Sequence, residues 1–182
     1  GLALPGCVES LKTSGANKTN LVIVFPDQMR AHAMGFMNQD PVYTPVLDNF
    51  AKESLVLTQA VSNYPVCSPF RAMLMPGKYP FANNVKNNCL STTDRVGCEH
   101  QKSGRCFSDV LKDKVYSLGY IGKGHLESPR PPYIKCKNNE WAEKWNEWTR
   151  PDRRHGFDFW YAYNTYDLHD RPLYWDNDAG RE

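Results

Sequence analysis

Apolar residues run unbroken from Leu21 through Val22, Ile23 and Val24 to Phe25. Such a β-prone run predicts a strand buried on both faces of a parallel sheet. It breaks at Pro26-Asp27-Gln28, placing polar groups at the strand's carboxyl end, where open α/β sheets build their sites. Thr44-Pro45 predicts a helix start, with a capping hydroxyl and then Pro at the first position. Val46, Leu47, Phe50 and Ala51 supply that helix's apolar face. Leu55 to Val61 reads as a second strand. Residues 81–104, rich in Asn, Ser, Thr and Gly, read as loop. Phe107, Val110, Leu111, Val115 and Leu118 then keep near-helical spacing, with Gly119 as a stop. Tyr120-Ile121-Gly122 reads as a third strand running into Lys123-Gly124-His125. The alternation predicts an α/β fold with a mainly parallel sheet.

The stretch from Tyr64 to Pro80 places a cysteine at the start of a short helix. Pro69 suits a first turn, and Ala72, Met73, Leu74 and Met75 are good helix formers. Pro76 and Gly77 would end the helix. Cys67 then lies at or just before the N-terminus, with Arg71 one turn along on the same face. Backbone N–H groups and a guanidinium together favour an anion. Three predicted strands thus bring Asp27/Gln28, Cys67/Arg71 and Lys123/His125 to one sheet edge. A protein-tyrosine-phosphatase-like loop is disfavoured, because it would need Arg six residues after the cysteine, where Met73 stands.

The 182 residues are enough for one domain with a real core, and 41% of them are hydrophobic. A net charge of +2 argues against general attraction to nucleic acid or membrane. No apolar run reaches the length of a membrane span. Residues 1–19 read as a polar tail, which includes the glycosylation-type triplet Asn17-Lys18-Thr19. Leu2-Ala3-Leu4-Pro5-Gly6-Cys7 is similar to the end of a lipoprotein signal. An exported, periplasmic or cell-surface location follows as an expectation, with a lipid anchor at Cys7 as one reading and an ordinary loop as the other. Of the remaining cysteines, Cys89, Cys98, Cys106 and Cys136 could form two disulfides or stay free. Their spacings predict no zinc site, because no Cys-x2-Cys pair occurs. Trp141, Trp145 and Trp148 recur at helical spacing. Core is the favoured reading of that stripe, with a carbohydrate-facing surface as the alternative.

Several of these stretches, in this order, resemble the type I sulfatase family of the alkaline-phosphatase-like superfamily. Asn20 to Gln28 is similar to its first strand and metal-ligand turn, and Thr44-Pro45-Val46-Leu47-Asp48 to its Thr-Pro-Asn-Leu-Asp helix. Cys67-Ser68-Pro69-Phe70-Arg71, continuing to Gly77, resembles the signature Cys-x-Pro-Ser-Arg…Thr-Gly. Gly122-Lys123-Gly124-His125-Leu126 resembles Gly-Lys-Trp-His-Leu, and Gly156-Phe157-Asp158 matches a further recurrent element. Residues 20–182 would then be the N-terminal portion of a sulfatase catalytic domain, incomplete and expected to be inactive alone.

The resemblance implies that Cys67 is oxidised to formylglycine by a maturation enzyme. One hydroxyl of the aldehyde hydrate would attack sulfur, and the second would expel sulfate. Asp27 and Gln28, with position 67, would hold Ca2+, with Mg2+ as second choice. Arg71 would hold the hydrate and the metal-site carboxylates, Lys123 would contact sulfate oxygens, and His125 would take the proton during sulfate release. His169 is a further candidate, as leaving-group acid or sugar contact. Asp176-Asn177 only superficially resembles the family's second metal-ligand pair. Gln28, Phe70, Pro76 and Gly124 depart from the usual Asp, Ser, Thr and Trp, and Gly124 is expected to loosen its loop. The implied substrate is a sulfated carbohydrate. The alternatives are a phosphate or phosphonate ester hydrolase of the same superfamily, and a non-catalytic carbohydrate-binding relative.

Overall fold

The computed structural model describes residues 18–89, 99–101, 104–128, 148–164 and 174–178. Cys7 and the tail to residue 17, Cys98, Cys136, Trp141, Trp145 and His169 lie outside the described residues. The described elements are helices α1 (Pro45–Lys52), α2 (Cys67–Leu74), α3 (Pro80–Asn83) and α4 (Phe107–Asp113), with strands β1 (Gly119–Lys123) and β2 (Phe159–Tyr163). Short 3-10 turns precede α1 and lie at Pro151–Arg153.

Helix α2 forms as its sequence predicts. Val66 is the extended N-cap residue, so Cys67 opens the helix and Pro69 sits in the first turn, where its missing N–H costs nothing. The helix has already ended when Pro76 is reached, and Gly77, at φ 65°, donates its N–H to the Met73 carbonyl. Pro76 therefore removes no helical hydrogen bond. Asn83, at the end of α3, ties this region together. Its amide donates to the Ala72 carbonyl at 2.8 Å and the Lys78 carbonyl at 2.9 Å, and its oxygen accepts from Val85 N–H at 2.8 Å. The core lies beneath α2: Ala72, Met75, Val85, Cys106 and Leu126, with Phe107 and Phe157 packed against it. Phe107 N–H donates to the Met75 carbonyl at 2.8 Å, which docks the start of α4 on the end of α2.

Strands β1 and β2 pair in parallel, with Tyr120 opposite Trp160 and Lys123 opposite Tyr163. The Tyr120 and Trp160 rings stack with centroids 4.7 Å apart, and Phe157 meets Tyr120 edge-on. Trp175 bridges to Ala162 on the other side of β2. The buried tryptophans here are Trp160 and Trp175, while Trp148 is half-buried under a cation–π contact from Arg154.

Several elements differ from the sequence expectation. Residues 21–25 and 55–61 form no strand, and their apolar side chains are exposed, Val22 by 81% and Leu57 by 70%. A strand exists only when neighbours take its N–H and C=O groups, and no described residue pairs with either run. The apolar face of α1 is likewise exposed at Val46 and Phe50. Thr44 does not cap α1 through its side chain. Its hydroxyl instead accepts from Gly35 N–H at 2.7 Å and donates to Asp48 at 2.8 Å, fastening the preceding turn to the helix. A Cβ on Gly35 would stand 2.9 Å from both side chains, so glycine is required there. Residues 80–83 are helical rather than loop. Helix α4 stops at Asp113, and Gly119 begins β1 instead of ending a helix. Strand β2, where the sequence pattern predicts no element, is the partner of β1.

Candidate active site

Asp27 sits in a tight turn, with Gln28 in the left-handed region at φ 57°. Arg71, one turn into α2, is buried and reaches back across the turn. Its guanidinium donates to Asp27 Oδ1 at 3.0 Å and to the Lys123 carbonyl at 2.6 Å, and it lies over the Phe25 ring at 4.8 Å. One cationic plane thus bridges the Asp27 turn and the end of β1, a task that suits the rigid fork of arginine. Lys123, the last residue of β1, donates to Asp27 Oδ2 at 2.8 Å, and its Nζ is 3.8 Å from Cys67 Sγ. Partial burial alone would raise the Asp27 pKa. Hydrogen bonds from Lys123 and Arg71, and their charges, outweigh that and hold the carboxyl below its usual range.

His125 follows β1 with φ 50° and is 5% exposed. A carbonyl can only accept, so the 2.8 Å contact between His125 Nε2 and Cys89 O places the proton on Nε2. Nδ1 is then a lone-pair nitrogen, buried and without a hydrogen-bond partner among the described residues. Burial first, and then the charges of Lys123 and Arg71, push the imidazole pKa down to about 4, against the opposing pull of Cys89 O and Asp27. The ring is neutral at pH 7 and available as a base.

Asp27, Cys67, Arg71 and Lys123 therefore converge, though not at the three-strand sheet edge the sequence predicts, and His125 is in electrostatic reach of Asp27, Arg71 and Lys123. Gln28 is exposed at the rim of the turn. His169 lies outside the described residues. Asn177 is structural: its side chain accepts from Trp160 N–H at 2.9 Å and Arg154 at 3.2 Å, and donates to the Asp158 carbonyl at 3.0 Å. Asp158 is structural too, since it accepts from Leu118 N–H at 2.9 Å and pairs with Lys112. Gly124 does not loosen its loop. Its N–H donates to the Tyr163 carbonyl at 2.6 Å, and a Cβ would stand 2.7 Å from Asn164 Oδ1.

Two supports were missed in the sequence. Ser68 N–H donates to Asn88 Oδ1, and Cys89 N–H to Ser68 Oγ, both at 3.0 Å, so the loop at 88–89 braces the start of α2 and the His125 partner together. No local spacing signals these contacts. Cys89 and Cys106 are both buried, and Cys106 has no disulfide partner among the described residues.

The model of the sulfatase family matches residues 19–180. The chain belongs to the sulfatase family. It is 40% identical over 184 residues to an endo-4-O-sulfatase of Bacteroides thetaiotaomicron, covering 91% of this chain and 35% of the relative. It is 32% identical over 179 residues to a ulvan-active sulfatase of Formosa agariphila, covering 96% and 31%. Among solved structures, that of yidJ from Bacteroides fragilis superposes with a TM-score of 0.81 at 48% identity, covering 93% of this chain and 37% of that one. The fold is that of the alkaline-phosphatase-like sulfatases. The chain spans about a third of the length of these relatives.

Proposed function

We propose that this sulfatase-family chain carries the nucleophile side of a site that hydrolyses sulfate esters on a carbohydrate. The observation that supports this most is the junction at Lys123, whose Nζ meets both Cys67 Sγ and the Asp27 carboxylate. Three segments far apart in sequence bring a modifiable side chain, an anion and two cations together there. The carbohydrate substrate is carried over from the relatives named endo-4-O-sulfatase and ulvan-active sulfatase.

In this reading Cys67 is the precursor of formylglycine. As a hydrated aldehyde, position 67 would offer one hydroxyl to sulfur and a second whose deprotonation releases sulfate. Lys123 neutralises sulfate oxygens beside position 67. Arg71 keeps Asp27 ionised and fixes the end of β1. His125, neutral with a free Nδ1 lone pair, takes a proton during release, while Cys89 O holds its ring in place. The donor set at the turn, an ionised carboxylate and a carboxamide oxygen, fits a hard cation such as Ca2+. Asp27 and Gln28 would hold it, and it would supply positive charge opposite the sulfate.

The test is mass spectrometry of the Cys67 peptide after co-expression with a formylglycine-generating or radical sulfatase-maturing enzyme. The expected product carries CHO in place of CH2SH. A persistent thiol would favour the non-catalytic carbohydrate-binding reading. Faster turnover of phosphate than sulfate esters by the matured protein would overturn sulfate as the substrate class.

A further inference from the structure

A second cluster of chemically active side chains lies away from Cys67, and the sulfate chemistry makes no use of it. His100, Cys106 and His155 bring one ligand atom each to within 4.8 Å of one another. They come from three separate places: the segment 99–101, the residue just before α4, and the turn that precedes β2. We propose that these three residues form a binding site for a borderline-soft dication, Zn2+, which pins the start of α4 to the turn before β2.

Four features support it. The donor set is one sulfur and two imidazoles, which selects zinc-like ions and rejects Ca2+ and Mg2+. The distance from Cys106 Sγ to His100 Nε2 is 3.5 Å. A tetrahedral zinc with ordinary Zn–S and Zn–N bonds separates S and N by about 3.6 Å. The His100 ring is also oriented for the task. Its Nδ1 lies 3.0 Å from the Gln101 carbonyl, which only accepts, so Nδ1 carries the proton and Nε2 presents a lone pair toward the sulfur. A backbone carbonyl on the far nitrogen is the usual support of a metal-ligating histidine. Finally, the His155 ring lies beside His100, tilted by 44° with centroids 4.6 Å apart. A small rotation brings its nitrogen into the same coordination sphere.

The charges nearby are compatible. Asp109 accepts from Cys106 N–H at 2.8 Å and lies against Gly156, so an anion faces the cluster. Arg153, the nearby cation, is engaged by Glu127. Without a metal, burial and then Asp109 push the Cys106 thiol up to about 12. Binding replaces the thiol proton: Zn2+ takes the thiolate and one proton leaves for solvent. His155 also lines a cleft with Glu127, Thr149 and Trp160, which gives a water a route to a fourth position.

The experiment is a Co2+ titration of the reduced 182-residue chain, read by the thiolate-to-cobalt charge-transfer band and the tetrahedral visible bands. We expect saturation at one equivalent, displacement by Zn2+ and insensitivity to Ca2+. The band should persist in Cys67→Ser and vanish in both Cys106→Ser and His155→Gln. Zn2+ at a hundred-fold excess over its dissociation constant should raise the thermal midpoint by about 5–10 °C. Should Cys106→Ser fail to fold, the partly exposed His155→Gln variant carries the test. Absence of the band in the reduced chain, its survival in either ligand variant, or a disulfide at Cys106 in the native protein would overturn the proposal. None of these outcomes depends on whether Cys67 is matured.

Discussion

Lys123 is the residue on which the candidate site turns, because among the described residues it is the cation that touches both Cys67 and Asp27. Under the proposed function, Lys123→Ala in the matured full-length protein, with sulfate release as the readout, is expected to lower kcat by about 10²–10³-fold, as loss of one preorganised charge-stabilising donor does. His125 makes a separate prediction in pH. Burial pushes its folded pKa down to about 4 from the ordinary 6.5. Between those values the unfolded chain binds more protons than the folded one, so stability is full above about 6.5 and falls as pH drops toward 4. The loss from this group is at most about 3 kcal/mol. His125→Gln keeps a donor for Cys89 O and should flatten that limb in urea titrations at a series of pH values. The five residues at this site were legible in the sequence because each sits in a compact motif. The grouping of His100, Cys106 and His155 was not, because the spacing of the cysteines carries no information about histidines that folding brings beside one of them. Only folding brings residue 155 beside residues 100 and 106.

At the scale of elements, the junction of β1 with β2 depends on a close approach at Gly124. The Asn164 side chain occupies the space a Cβ would need, and its amide donates to Thr149 Oγ1 at 2.7 Å. Gly124→Ala should cost about 1–3 kcal/mol through forced displacement of Asn164, visible as a lowered thermal midpoint. Gly124→Trp, the residue usual in the family signature, should be worse. The expectation of a loosened loop failed because a missing side chain reads as freedom in sequence, whereas here a neighbour fills the space. Asn83 is the corresponding support for α2. Three hydrogen bonds converge on its amide, two of them buried, and Asn83→Ala should destabilise the fold by about 2–3 kcal/mol, with α2 and Cys67 losing protection from hydrogen exchange first.

At the scale of the whole molecule, two apolar runs stand at the surface. Leu21–Phe25 reads as a buried strand and residues 55–61 as a second strand, yet Val24 is 83% exposed and Val61 84%. Clustered exposed apolar surface drives association. The 182-residue chain is therefore expected to bind hydrophobic dyes and to self-associate at micromolar concentration in sedimentation runs, and the double substitution Val22→Asp, Val24→Asp should reduce both effects. The relatives are about three times as long as this chain, so they have additional chain with which strands of this kind can pair.

The sequence alone determined what is local: the helix that opens at Cys67, the Asp27 turn at the end of an apolar run, β1 leading into Lys123 and His125, and through their order the sulfatase resemblance. Capping, proline geometry and turn chemistry act over a few residues, so a linear reading recovers them. Tertiary structure decided what depends on partners: that the two apolar runs are not strands here, that β2 is one, that Thr44 fastens a turn instead of capping, and that Asp158 and Asn177 are structural. It also decided that two histidines and a cysteine share one pocket of space. Strand pairing, packing against glycine and metal-like clusters are relations between distant segments, and only the folded chain fixes which segments meet.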